Sequence, residues 1–150
     1  MVNAADLKKM VFFAEVADED LAAIAEISEE TSFKADDVIC TEDDHASHIY
    51  FVKSGRVAIL VDINAHKKIM VDTISQGEMF GWSALVAQKK VTATSKCVDD
   101  SSIILVDSKR LKGLFLKNCR LGYQIMEKIA NLISDRLKDT RLQFINLIQW

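Results

Sequence analysis

Proline is absent from this sequence of 150 residues, and glycine occurs only five times. Few positions can therefore adopt a positive φ without steric cost, so we expect the remaining glycines where the backbone requires them. Three of them, Gly55, Gly77 and Gly81, lie in the middle of the chain. Repeats, low-complexity tracts and linker-like stretches are also missing, which predicts a single domain over residues 1–150.

Cysteine is scarce as well. The three cysteines, Cys40, Cys97 and Cys119, are widely separated and odd in number, which argues against a disulfide framework and against a zinc site. No apolar run approaches the ~20 residues that a bilayer span requires, and the N-terminus lacks a signal-peptide pattern. We therefore expect a cytoplasmic protein without membrane association.

Positive charge is not in excess, because 19 Lys and Arg against 22 Asp and Glu give a net charge of -3. The basic residues are scattered, whereas nucleic-acid binding requires a clustered positive field. His45, His48 and His66 lack the spacing and the accompanying carboxylate of a metal site, and no nucleophile–histidine arrangement stands out. We therefore predict no enzymatic activity, no bound metal and no DNA binding by this chain.

The hydrophobic pattern changes twice along the chain. It is helical to about Ser28, with Asp18 as the expected cap of a second short helix. From about 30 to 107 it alternates with a period of two, which is typical of an antiparallel sandwich or barrel. The predicted strands are Thr31–Phe33, Val38–Thr41, His48–Lys53, Arg56–Val61, Lys67–Thr73, Thr92–Cys97 and Ser102–Val106.

One stretch, from Gly77 to Ala87, interrupts the strand pattern. Two glycines, Gly77 and Gly81, punctuate a loop that leads into a run of good helix formers. A loop that opens a short helix gathers free backbone N–H groups at one point, which favours binding of a phosphate or carboxylate.

The C-terminal part is predicted to be helical, with Ser108 capping one helix and a long helix running over about 120–148. At 1.5 Å per residue, its ~28 residues reach ~42 Å, which is more than a small barrel can cover. Ile125, Ile129 and Leu132 form one stripe, which is expected to lie on the barrel. A second stripe has heptad spacing, interrupted by Thr140, and predicts a homodimeric coiled coil; packing on its own domain is the alternative. The dimer seam comprises Met126, Ala130, Ile133, Leu137, Phe144 and Leu147.

This order of elements resembles the cyclic-nucleotide-binding domain family, the sensory domain of catabolite activator protein and of cyclic-nucleotide-dependent kinases. Phe33–Ile39 looks like the start of the family's barrel and Ile49–Val57 like its central hairpin. Gly77–Gly81 with Ala84–Val86 looks like its phosphate-binding cassette, which Thr92–Thr94 closes. The resemblance implies a mainly β jelly-roll (double-stranded β-helix) barrel over about 30–107, flanked by N-terminal helices and a long C-terminal helix.

The sequence departs from the family pattern at four positions. Asp36 and Asp43 replace two turn glycines, and aspartate tolerates the left-handed conformation better than most residues, so both turns should survive. Trp82 stands where the family has the glutamate that accepts from the ribose hydroxyl. Val91 stands where the family has the arginine that pairs with the cyclic phosphate. The resemblance therefore implies a stand-alone sensory domain that has lost its nucleotide clamp.

The candidate ligand pocket is taken from the positions that match the cassette. Lys90 reaches it only if a bulge turns the strand. Trp82 either fills the ribose space, which we favour, or stacks on a different ligand. Thr140 matches a purine-contacting threonine of the transcription-factor branch or tunes the register of the coiled coil. The predicted pocket residues are Gly77, Phe80, Gly81, Trp82, Ser83, Ala84, Leu85, Lys90, Val91, Thr92, Ala93 and Thr140.

These observations favour a regulatory, ligand-sensing module that does not bind cAMP or cGMP in the usual way. No cofactor is predicted beyond an unidentified small anionic or nucleotide-like ligand. One alternative is a genuine cyclic-nucleotide receptor that uses Lys90, Thr92 and backbone donors. Another is the sensory half of a transcription regulator, since DNA-binding family members carry a helix-turn-helix after the long helix and this sequence ends at Trp150 without one.

Overall fold

The computed structural model describes residues 1–86 and 90–149. Its elements follow the predicted order, and eight strands lie between two helical regions. The helical segments are α1 (Ala4–Lys8), a 3-10 helix (Val11–Phe13), α2 (Asp18–Glu26), a second 3-10 helix (Trp82–Ala84), α3 (Ser108–Lys117) and α4 (Cys119–Ile148). The strands are β1 (Ser28–Phe33), β2 (Val38–Cys40), β3 (His48–Ser54), β4 (Val57–Asn64), β5 (Lys67–Ile74), β6 (Met79–Phe80), β7 (Thr94–Cys97) and β8 (Ser101–Asp107).

The strands form two antiparallel four-stranded sheets, in the orders β1-β8-β3-β6 and β2-β7-β4-β5. This is the mainly β, jelly-roll architecture expected from the sequence, but the predicted barrel is not closed. Among the described residues, no strand of one sheet is hydrogen-bonded to a strand of the other. Two of the edge strands are very short: β6 has two residues and β2 has three. They therefore offer few backbone N–H and C=O groups that could bridge the sheets.

Strand β3 is buried on both of its faces. Ile49 and Phe51 point into a core that includes the flanking helices, whereas Tyr50 and Val52 point into a second core between the two sheets. Because successive side chains of a strand alternate, one apolar segment contributes to both layers. Each buried large side chain contributes about 1.5–3 kcal/mol of transfer free energy, which makes β3 the centre of the fold.

The helix caps differ from those predicted. Asp18 is the first residue of α2 and follows Ala17 at the cap position, which makes no side-chain cap bond. For α3, the side chain of Asp107 accepts from the Arg110 N–H, so Asp107 and not Ser108 is the cap. The Ser108 hydroxyl instead donates to the Ser47 carbonyl, which fixes the start of α3 beside β3.

The helix α4 is 30 residues long, and only its first half is covered. Ile125 and Ile129 are fully buried in the helix-side core, and Leu132 packs against that core, as predicted. Beyond Arg136, every described residue of the helix is exposed. The second half of α4 is therefore held by few packing contacts. Among the described residues, no helix is long and apolar enough to cross a bilayer.

Candidate functional site

A pocket of about 660 Å³ lies between the sheet that contains β4, β5 and β7, the loop after β6, and the second half of α4. Eight of the twelve predicted pocket residues line it: Phe80, Gly81, Trp82, Ser83, Val91, Thr92, Ala93 and Thr140. The structure thus brings the predicted cassette and the predicted helix threonine to one site.

The other four predicted residues lie outside the pocket lining. Gly77 lies in a turn, and its own N–H donates to the Val52 carbonyl. Ala84 and Leu85 are buried in the helix-side core. Lys90 is exposed and forms an isolated β-bridge with His45, so the strand does not turn it inward. Ala87, where the predicted cassette stretch ended, lies outside the described residues.

Gly81 brings the cassette close to β3. Its φ is +83°, and a Cβ built there would lie 2.6 Å from Cδ2 of Tyr50, so both the conformation and the close approach require glycine. The turn that follows uses two of the N–H groups expected to face an anion. The Ala84 N–H donates to the Gly81 carbonyl and the Leu85 N–H to the Trp82 carbonyl. The anion site predicted from backbone donors is therefore reduced.

The polar groups in the pocket are mostly uncharged. The Ser83 and Thr92 hydroxyl oxygens are 3.4 Å apart, and Sγ of Cys40 lies 2.7 Å from Oγ of Ser95. Burial raises the pKa of the Cys40 thiol. Burial is also the main cause that raises the pKa of the Tyr50 hydroxyl. At neutral pH these residues offer hydroxyl and thiol hydrogen bonds rather than charge.

Arg136 is the only cation among the residues of the described pocket lining that the sequence reasoning missed. It extends from α4 into the pocket, where its guanidinium contacts the Asp72 carboxylate, and its Nη2 lies 3.9 Å from Oε2 of Glu78. Its Cζ is 5.9 Å from the centroid of the Trp82 ring, within range of a cation–π interaction. Burial lowers the pKa of Arg136, and the nearby Asp139 acts in the opposite direction. The spacing of four residues to Thr140 was the available signal, because it places both on one helix face.

Trp82 does not close the pocket, contrary to the interpretation that the sequence favoured. It is half-buried and packs partly on the helix-side core, and the pocket that it lines keeps its volume of about 660 Å³. Because the guanidinium of Arg136 lies over its ring, the indole forms part of the pocket wall and also contacts α4.

The seam predicted on α4 is largely solvent-exposed. Met126, Leu137, Phe144 and Leu147 expose 36%, 51%, 63% and 77% of their surface, and Ala130 is exposed as well. Ile133 differs, since it is half-buried against the helix-side core. Leu142, Ile145 and Ile148 add further exposed apolar surface.

A family model described as "Cyclic nucleotide-binding domain" matches residues 30–118, which is more than half of the chain. This chain belongs to that family. Its mainly β fold with flanking helices is the one that the resemblance in the sequence implied.

Relatives and solved structures are similar over most of the chain. Cyclic GMP-binding protein C of Dictyostelium discoideum is 26% identical over 141 residues, which make up 91% of this chain but 5% of that protein. The chain therefore spans only a small part of this relative. A structure from Geobacter metallireducens, described as a cyclic nucleotide-binding protein, is 28% identical with a TM-score of 0.81 and covers 91% of this chain and 99% of its own.

Catabolite activator protein of Thermus thermophilus also has this fold. It is 19% identical with a TM-score of 0.74, and the match covers 91% of this chain and 62% of that one. At this identity the similarity concerns the fold alone.

Two of the positions at which the sequence departs from the family pattern lie in the pocket of this cyclic nucleotide-binding domain. They are Trp82 and Val91, which are predicted from the sequence to stand at the positions of the family's glutamate and arginine, and both line the pocket. Neither supplies the charge that the family uses at these two points.

Proposed function

We propose that this cyclic nucleotide-binding domain is a regulatory, ligand-sensing module that does not hold cAMP or cGMP with the usual clamp. The observation that carries the proposal is a pocket of about 660 Å³ lined by Trp82 and Val91, the two residues that the sequence resemblance assigns to the clamp positions. The one cation lining the described part of the pocket, Arg136, is already paired with Asp72. It therefore does not replace the missing arginine.

The expected loss of nucleotide affinity is large. A charge-assisted hydrogen bond contributes about 1.5–3 kcal/mol, and 1.4 kcal/mol corresponds to a tenfold change in the dissociation constant. Losing the ribose acceptor and the phosphate cation weakens binding by roughly two to four powers of ten.

We propose that α4 transmits the state of the pocket. Arg136, Asp139, Thr140 and Gln143 all line the pocket from this helix, while the seam represented by Leu137 and Phe144 is exposed on a neighbouring face. The heptad spacing of that seam suits a second copy of the chain. A ligand that contacts the helix differently in two arrangements would shift the balance between them. Like its family, the module is proposed to be regulatory rather than enzymatic, and to act in the cytoplasm without binding DNA.

Titration calorimetry with cAMP and cGMP tests the lost clamp. The wild-type chain should show no saturation at micromolar nucleotide, whereas the double variant Trp82→Glu/Val91→Arg should bind at least about a hundredfold more tightly. Val98→Arg adds the same charge at an exposed residue outside the pocket lining and should leave affinity unchanged. Wild-type saturation with a dissociation constant below about 10 µM would overturn the proposal.

A genuine cyclic-nucleotide receptor is the second candidate. The similarity to cyclic GMP-binding protein C of Dictyostelium favours it, as does the Ser83–Thr92 hydroxyl pair that remains in the cassette. In that case the wild-type chain saturates in the same titration, and Thr92→Ala weakens the binding. Our proposal predicts that Thr92→Ala changes nothing measurable with either nucleotide.

A further inference from the structure

We infer that the pocket takes an uncharged, predominantly apolar small molecule that carries a hydroxyl or carbonyl group, in preference to an anion. The inference rests on the proposed function, which makes this pocket the sensing site. It names the class of ligand to which that site responds.

The walls of the pocket are mainly apolar. Apolar side chains from four elements of the fold line it: Ile59 and Val61 from β4, Val71 and Ile74 from β5, Phe80 from β6, and Leu142 from α4. Ligand pockets of a few hundred Å³ with mainly apolar walls and few polar groups are typical small-molecule sites. A volume of about 660 Å³ lies within the range of pockets that bind drug-sized molecules.

The described lining of the pocket carries few charges. With histidine counted as neutral, the charged side chains in its described lining are Arg136, Asp72 and Asp139. Arg136 is paired with Asp72, so Asp139 remains as an excess negative charge on the helix wall. An anionic ligand would therefore be desolvated in a pocket whose described lining offers no unpaired cation, which is costly. An uncharged ligand avoids this cost.

Hydroxyl and thiol groups make up much of the remaining polar lining of the pocket. Ser95 is almost fully buried and lines the pocket, and its hydroxyl meets the Cys40 thiol. The Ser83–Thr92 pair provides a second uncharged donor and acceptor. Groups of this kind orient a hydroxyl or carbonyl by hydrogen bonds and add no preference for charge.

Two fluorescent probes with the same aromatic frame test the inference. N-phenyl-1-naphthylamine is uncharged, and 8-anilino-1-naphthalenesulfonate carries one sulfonate on the related skeleton. We expect the uncharged probe to bind at least about tenfold more tightly. Ala93→Trp, which adds a large side chain to the lining, should abolish that binding. Val98→Trp is the matched control, since Val98 is exposed outside the lining, and circular dichroism checks that both variants fold.

A second variant reverses the charge preference. Val91→Arg places a cation in the pocket wall and should strengthen binding of the sulfonate probe at least about tenfold, while changing the uncharged probe little.

Each contrary result points to a different failure. Tighter binding of the sulfonate probe that is lost in Ala93→Trp overturns the ligand class and leaves the sensing pocket intact. Binding of both probes that is insensitive to Ala93→Trp overturns the pocket itself, and with it both proposals.

Discussion

The guanidinium of Arg136 lies over the ring of Trp82, with its Cζ atom 5.9 Å from the ring centroid. The two residues belong to α4 and to the cassette loop, so this contact joins the exposed half of the helix to the pocket. Asp72 on β5 holds the same guanidinium from another side. The indole of Trp82 thus forms part of the support for the second half of α4.

We predict that removing this contact loosens the second half of α4. Arg136→Gln and Asp72→Asn should each destabilise the fold, with a coupling free energy of about 1 kcal/mol in a double-mutant cycle, as expected of a partly exposed pair. Urea unfolding measures the coupling, and hydrogen exchange should become faster over residues 137–148. Arg120→Gln removes a more exposed arginine of α4, 3.9 Å from Asp20, and should have less effect. Additive effects of the two pocket variants would contradict the link.

Two glycines with similar backbone angles should respond differently to substitution. Gly55 (φ +91°) and Gly77 (φ +87°) share the conformational cost of adding a side chain. At Gly55, however, a Cβ would lie 2.1 Å from Oγ of Ser101, whereas at Gly77 nothing lies within 4 Å. Gly77→Ala should cost about 1 kcal/mol and Gly55→Ala about 3 kcal/mol or more, measured as free energies of unfolding. Equal losses would show that the steric contact is relieved without cost.

The exposed seam predicts a dimer that one charge can break. Leu137→Asp introduces a carboxylate where 51% of the leucine surface is exposed, and burying that charge in a coiled coil is unfavourable. The dissociation constant of the dimer should rise at least about tenfold in sedimentation velocity. Asn131→Asp adds the same charge at an exposed position on another face of α4 and should leave the dimer intact. A wild-type chain that stays monomeric at all concentrations would remove the coiled-coil proposal.

Acid should weaken the fold through Glu30. A hydrogen bond from Ser102 and then the ammonium of Lys53 lower the pKa of Glu30 below its usual 4.5. Because the folded value is the lower one, the stabilisation is fully present above about pH 4.5 and is lost as the pH falls through the folded value. Glu30→Gln should therefore be less stable than wild type at pH 7, with the difference shrinking towards pH 3 in urea titrations. A difference that stays constant over this range would contradict the prediction.

Local patterns predicted much of the fold. The starts of β2, β3 and β5 were placed at Val38, His48 and Lys67, as observed, because alternating apolar residues between polar turns carry a strong signal. Asp36 and Asp43, expected in left-handed turns, have φ of 73° and 74°. Strand β6, by contrast, has two residues, which is too short for any periodicity.

The candidate site could be predicted only where it is local in sequence. Phe80 to Ser83 and Val91 to Ala93 form compact motifs, and both line the pocket. The partners of Arg136 could not be identified this way, since Asp72 and Glu78 are about sixty residues distant and meet it only through the packing of α4 on the barrel. Strand β7 starts at Thr94 rather than Thr92, because the two preceding residues turn along the pocket instead of pairing.

One face of α4 lines the pocket with Arg136 and Thr140, while Leu137 and Phe144 are exposed on the adjoining face. In the proposed module, the small molecule and the second copy are therefore two ligands of the same 30-residue helix. The two binding equilibria are then linked. The factor by which the small molecule changes the affinity of one copy for the other equals the factor by which self-association changes the affinity for the small molecule. The apparent affinity for the small molecule thus varies with protein concentration. The cellular abundance of the chain therefore helps to set the concentration of small molecule at which the module responds.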